Sequence, residues 1–138
     1  MTLSAGVPAI VVDASVAIEF LNDDPDWTQR WLAWAESGAM LLAPGHFAAE
    51  LANALLRSRR LAASDAWARL DLLFASGVEI ADRGLVGLRE AIELADHHGL
   101  SVYDALYLQL ALDVDGELAT LDTDLRRAAT AESVEIVG

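Results

Sequence analysis

The sequence predicts an α/β fold in which a parallel sheet is covered by helices, and three observations carry that expectation. Short apolar runs without a polar face, Ala9 to Val12 being the first, have the length and β-branched content of strands buried on both sides. Between them lie longer stretches whose apolar positions recur at helical spacing. The two patterns alternate along the chain, as crossover connections between parallel strands require.

With 138 residues and a 54% hydrophobic fraction, the chain is expected to form one domain over residues 1–138 with a sizeable core. It contains no cysteine, which removes disulfides, thiolate zinc sites and a Cys nucleophile and makes an intracellular, cytoplasmic protein the expectation. The N-terminal MTLSAGVPAIVVD lacks a basic n-region and a long apolar stretch, so a soluble protein without a targeting segment is expected. All 9 basic residues are arginine. Without lysine there is no P-loop ammonium, no Schiff base and no lysine to balance an aspartyl phosphate. A formal charge of -13 argues against broad attraction to nucleic acid or an anionic membrane. It leaves room for a local site where bound cations offset the acids.

Asp13 ends the first strand and precedes Ala14-Ser15-Val16-Ala17, which turns into a helix. It either caps that helix or, standing at the carboxyl end of a buried strand, forms one wall of a metal site. Asn22 to Asp26 is a turn, with Pro25 or Asp26 opening the next helix. Trp27, Trp31 and Trp34 share one face of that helix, as core packing or as a partner or dimer surface. Gly38 ends it, Ala39 to Ala43 reads as a second strand, and Pro44-Gly45 stops the strand.

His46 to Arg57 has helical spacing at Phe47, Leu51, Ala54 and Leu55. Glu50 lies in its first turn, either complementing the helix dipole or pointing back toward Asp13. Arg57, Arg59 and Arg60 follow at its far end, as a solvated helix terminus or as contacts to a nucleic-acid backbone. Ser64 or Asp65 is expected to cap a helix running to about Ala75, followed by a strand at Gly77 to Ile80. Leu85 to His97 repeats the helical period and stops at His97-His98-Gly99. The adjacent histidines are expected to interact with free carbonyls there, since no other ligand has suitable spacing. Ser101 and Asp104 have the spacing of a capping box at the start of the next helix. Glu117 to Thr120 and Val134 to Val137 read as strands around a helix from Asp122 to Ala129. Asp122 repeats the situation of Asp13, with Asp124 as its alternative.

Asp13, Glu50, Asp104 and Asp122 each have a structural explanation. Together they share a feature that capping does not require, because each belongs to a strand-to-helix or loop-to-helix junction. In a parallel sheet with right-handed crossovers the strand-to-helix junctions gather at one edge. Four carboxylates brought together need a countercharge. Mg²⁺ or Mn²⁺ supplies it through hard oxygen ligands. A carboxylate-held pair of such ions, about 3.5 to 4 Å apart, is an arrangement for phosphodiester hydrolysis that needs no lysine, cysteine or histidine.

The stretches IVVDASVAIEF, PGHFAAELANALLRSRRL, ADHHGLSVYDALYLQLAL and ELATLDTDLRRAA, in this order, resemble the PIN-domain family, and in particular the VapC-type toxins of bacterial toxin-antitoxin pairs. The resemblance covers nearly the whole chain. It implies a three-layer α/β/α sandwich with a parallel sheet of four or five strands. It further implies a Mg²⁺- or Mn²⁺-dependent endoribonuclease, a homodimer, and inhibition by a cognate antitoxin whose arm enters the groove near the acids. The family acids carry over to Asp13 in VVDAS, Glu50 in AAELANAL, Asp104 in SVYDALY and Asp122 in TLDTDL, with Ser15 supporting the first acid and Asp124 an additional candidate. Arg57, Arg59, Arg60, Arg126 and Arg127 are the candidates for RNA contact.

Two other functions fit the sequence less well. An aspartyl-phosphate enzyme or receiver domain lacks its lysine here, and a haloacid-dehalogenase phosphatase lacks its second Asp, the position being Ser15. A PIN-fold interaction module without catalysis is disfavoured by the four intact acidic positions.

Overall fold

A computed structural model describes residues 8–137 of the chain. Residues 1–7, part of the stretch expected to carry no targeting signal, and Gly138 lie outside them. β1 (Ala9–Val12) leads into α1 (Ala14–Leu21) and α2 (Pro25–Glu36), then β2 (Met40–Ala43), α3 (Phe47–Asn53), α4 (Ala63–Ala75) and β3 (Val78–Ile80). α5 (Leu85–His98), α6 (Val102–Asp113), β4 (Glu117–Ala119), α7 (Thr123–Ala131) and β5 (Ile136–Val137) complete the order. Among the described residues no helix is long and apolar enough to cross a membrane.

The sheet is parallel throughout, with strand order β3-β2-β1-β4-β5. Val11 pairs with Leu42 on one side and Leu118 on the other, which makes β1 the central strand. The chain winds outward from β1 through β2 to β3, returns to the other side of β1, and winds outward again. Right-handed crossovers then put α1 to α4 on one face and α5 to α7 on the opposite face. Packing agrees, since α1 lies against α2, α3 and α4, while α6 lies against α5, α7, β1 and β4. The winding reverses between β1 and β4. In an open α/β sheet, the crevice at the carboxyl ends of two such strands is where ligands bind.

Helix boundaries follow local chemistry. Asp24 caps α2 by accepting from the Trp27 amide (3.1 Å), with Pro25 just inside the helix. Gly99 closes α5 at φ 69°, a left-handed conformation that favours glycine. α4 departs from expectation. Its cap is Ala62, in extended conformation and without a side-chain bond, and Asp65 instead lies in the first turn. Nor does α3 continue to Arg57 as one regular helix, because Ala54–Ser58 is wound as a π-helical turn.

The tryptophan face is largely core. Trp27 and Trp31 are buried, Trp31 stacks on Phe20 with ring centroids 4.4 Å apart, and its indole N–H donates to Ser76 Oγ at 3.1 Å. Trp34 is half-buried against them. α6 buries Ala105, Tyr107, Leu108, Gln109, Leu110 and Ala111, more than one face of a helix, because it lies between sheet and neighbouring helices.

Candidate active site

Asp13 stands at the carboxyl end of β1 and is the buried acid of the crevice, 5% exposed. It caps α1 from the end of the central strand. Its Oδ1 accepts from the Val16 amide (3.2 Å) and from the Ser15 hydroxyl (2.5 Å), and its Oδ2 accepts from the Thr120 hydroxyl. Thr120 follows β4 directly. The Asp13 amide also donates to the Ala119 carbonyl (3.2 Å), so the β1–β4 pairing continues to the acid itself. Burial pushes the Asp13 carboxyl up to about 6, and the nearby Glu50 adds to this, although the three hydrogen bonds pull the other way. Ser15 also accepts from the Leu121 amide (3.0 Å), linking the turn after β1 to the turn after β4.

Glu50 rises from the first turn of α3. Its Oε1 accepts from the Tyr107 hydroxyl at 2.6 Å and lies 3.8 Å from His46 Nε2. Tyr107 is buried on α6, three residues after Asp104. Its phenol is held far above the usual range, by burial first and then by its bond to Glu50 and the charges of Glu50 and Asp13. It therefore stays protonated and acts as a fixed donor. His46 packs against the rings of Tyr103 and Tyr107. Its ring nitrogens are buried without a hydrogen-bond partner, and desolvation lowers its pKa against the opposing pull of Glu50 and Asp104.

Asp104 opens α6, where its amide donates to Ser101 Oγ (3.1 Å), so the expected N-terminal cap is formed. Its half-buried carboxyl lines a groove of about 470 Å³ with His46, Glu50 and Tyr103. Burial raises its pKa, and the charges of Asp122 and then Glu50 raise it further. Asp122 caps α7 by accepting from the Leu125 amide (2.8 Å), while its own amide donates to Thr120 Oγ1 (3.0 Å). Asp124 is exposed and faces Arg127 at 3.6 Å.

The four acids stand at the starts of four helices, α1, α3, α6 and α7. Asp13 responds to Glu50, and Asp104 responds to Glu50 and Asp122. Among the described residues no three of them bring oxygens within 4.8 Å of one another. That spacing is open, and it fits an ion held by one or two carboxylates with waters completing its octahedron, as Mg²⁺ prefers. An all-oxygen donor set, with two of its members shifted toward protonation, suits a hard divalent cation. Among the described residues no arginine is paired with any of these four acids. Arg57, Arg59 and Arg60 are exposed beyond α3, Arg126 donates to the Thr120 carbonyl (3.0 Å), and Arg127 faces Asp124 and the His98 carbonyl.

Tyr107, Thr120 and His46 are the residues at this site that sequence reasoning missed. Tyr107 is one turn beyond Asp104 and so on its side of α6, and Thr120 is the one hydroxyl ending an apolar strand; both signals were readable. The convergence of His46 with two tyrosines from a distant helix was not.

A family model for the PIN domain matches residues 10–131. No curated protein matches the chain. Among solved structures, VapBC2 from Rickettsia felis, bound to a DNA fragment from the promoter, is similar at TM-score 0.71 and 18% identity, covering 94% of this chain and 97% of that one. A toxin-antitoxin complex from Klebsiella pneumoniae is similar at TM-score 0.67 and 16% identity, over 94% and 96% of the two chains. VapC20 from Mycobacterium tuberculosis, described as a Sarcin-Ricin loop cleaving toxin, is similar at TM-score 0.68 and 19% identity, over 86% and 94%.

Proposed function

The chain belongs to the PIN-domain family, and from that premise we propose that it is a metal-dependent endoribonuclease toxin of the VapC type, neutralised by a cognate antitoxin. The observation that carries this is the placement of Asp13, Glu50, Asp104 and Asp122 at the starts of α1, α3, α6 and α7, about a parallel sheet whose winding reverses between β1 and β4. Asp13, Asp104, Asp122 and Glu50 would hold Mg²⁺ or Mn²⁺. Bound there, such an ion supplies activation of water for in-line attack on a phosphodiester and stabilisation of the leaving oxygen.

The chain's own residues supply positioning. Ser15 and Thr120 fix both oxygens of Asp13, and with its pKa at about 6 the group is mostly ionised at neutral pH and ready to take a cation. Tyr107 holds one oxygen of Glu50 and leaves the other for the ion or for a water. Arg57, Arg59 and Arg60, exposed beyond the far end of α3 from Glu50, are the proposed contacts to the RNA backbone, with Arg126 and Arg127 as further candidates beside α7. RNA as substrate is supported by the activity named for VapC20, and an antitoxin partner by the Klebsiella complex. A cytoplasmic homodimer completes the reading, with an antitoxin arm entering the acidic groove.

Purified protein is expected to cleave RNA with Mg²⁺ or Mn²⁺ and to stop in excess chelator. Asp13→Asn, Glu50→Gln and Asp104→Asn should each lower the rate by roughly 100-fold or more with the fold intact. Cleavage that survives these changes rejects the assignment. No cleavage of any RNA by a folded, metal-loaded wild type leaves the interaction module instead. Sequencing 5′ ends of cellular RNA after brief expression identifies substrate and cut site together.

A further inference from the structure

We propose that His97, His98 and Glu132 form a second cation site, of the transition-metal class typified by Zn²⁺, apart from the carboxylate pocket. Each offers one ligand atom, and the three atoms lie within 4.8 Å of one another, the one such group among the described residues. Adjacent helical residues point about 100° apart and do not share a face. In the last turn of α5 the two imidazoles nevertheless meet edge to face with centroids 4.6 Å apart. Glu132 arrives from the end of α7, and its Oε2 lies 2.7 Å from His98 Nε2. The expectation from sequence that no further ligand stands near the histidines is therefore corrected, because the C-terminal end of α7 meets the last turn of α5 and delivers one.

Two imidazole nitrogens and one carboxylate oxygen form a borderline donor set, which suits Zn²⁺, Co²⁺ or Ni²⁺ rather than Mg²⁺. A tetrahedral ion with bonds of roughly 2.0 to 2.2 Å holds its donors roughly 3.4 Å apart. Small side-chain rotations bring all three atoms to that separation. The His98 side chain is only 7% exposed and so is fixed, whereas His97 is exposed and leaves an approach open. That approach is a groove of about 340 Å³ lined by His97 and Glu132 together with Glu93, whose charge attracts a cation, and with Glu90, which is already paired with Arg83. Glu93 lies one helical turn before His97 and is placed to become a fourth ligand or to bond a coordinated water. None of these residues lines the groove that contains Glu50 and Asp104. A bound ion would join the ends of α5 and α7.

Calorimetric titration of the whole protein with ZnCl₂, in excess Mg²⁺ so that the carboxylate pocket is occupied, tests this. One Zn²⁺ per chain is expected, weakened at least ten-fold in His97→Ala and in Glu132→Gln, each checked for unchanged circular dichroism. Because His97 is exposed, its removal leaves the fold in place. Asp13→Asn and Asp104→Asn should bind Zn²⁺ as the wild type does, so this result is independent of nuclease activity. Wild type that binds no Zn²⁺, binding unchanged in both site variants, or binding lost in the Asp13 and Asp104 variants overturns the proposal and leaves the His98–Glu132 contact as a plain hydrogen bond.

Discussion

Asp13 shows how one side chain serves structure and site at once, and what that costs. Three hydrogen bonds favour its charged form, yet desolvation outweighs them and pushes the pKa up to about 6 from the ordinary 3.8 of an aspartate. Between those two pH values the folded chain binds more protons than the unfolded one, so metal-free stability falls as pH rises through the window. A shift of this size corresponds to about 3 kcal/mol, an order-of-magnitude figure. Asp13→Asn is therefore expected to melt higher than the metal-free wild type at pH 7.5 and to lose most of the slope between pH 4 and 6, as thermal denaturation across pH would record. Equal slopes would show that another group dominates. Tyr107→Phe removes the donor to Glu50 without altering the ring packing, and should cost about 1 kcal/mol of stability. In cleavage assays at saturating Mg²⁺ the same variant is expected to recover part of the rate it loses at low Mg²⁺, because Glu50 loses its orientation and keeps its charge.

At the scale of elements, patterning and caps made most of the chain readable. Asp24-Pro25, Ser101 and Asp122 begin helices where side-chain oxygens of those types should place them. α4 was expected where it lies, but its cap escaped because it is an alanine, which carries no side-chain signal, and the neighbouring Ser64 and Asp65 were better candidates on chemistry alone. The π turn at Ala54–Ser58 escaped because Leu51, Ala54 and Leu55 fit a regular helix equally well. The tryptophan helix left core and interface open in sequence, and the difference is large in energy. Trp31→Ala should cost about 3 to 5 kcal/mol, for the ring is 1% exposed and stacked on Phe20. Trp67→Ala on α4, where the ring is 68% exposed, should change stability by less than about 0.5 kcal/mol. Chemical denaturation of the two variants separates them; a weak effect at Trp31 would return that face to the surface.

For the whole molecule, the places of the candidate acids at junctions and the support of Asp13 by Ser15 were legible, but the long-range meetings of Tyr107 with Glu50, Thr120 with Asp13 and Glu132 with His98 were not. Tyr107, Thr120 and Glu132 act on residues 57, 107 and 34 positions away, and such meetings follow only from strand order and helix packing. The overall charge of -13 sets another expectation, since few phosphates can be neutralised by so acidic a surface. With Arg57, Arg59 and Arg60 as the main contacts, RNA affinity of the inert Asp104→Asn protein should fall with salt at a log-log slope of about 2. Replacing the three arginines by alanine should flatten that slope, as fluorescence anisotropy would measure. An unchanged slope would move the contacts elsewhere. The central strand has its own bearing on synthesis. Residues 9–12 leave the ribosome well before the β4 neighbour that completes the surroundings of Asp13, which is made more than a hundred residues later. A nascent chain that has not yet reached β4 thus carries Asp13 without the Thr120 hydroxyl that fixes it, so this acid can take its folded setting only after those later residues have been made.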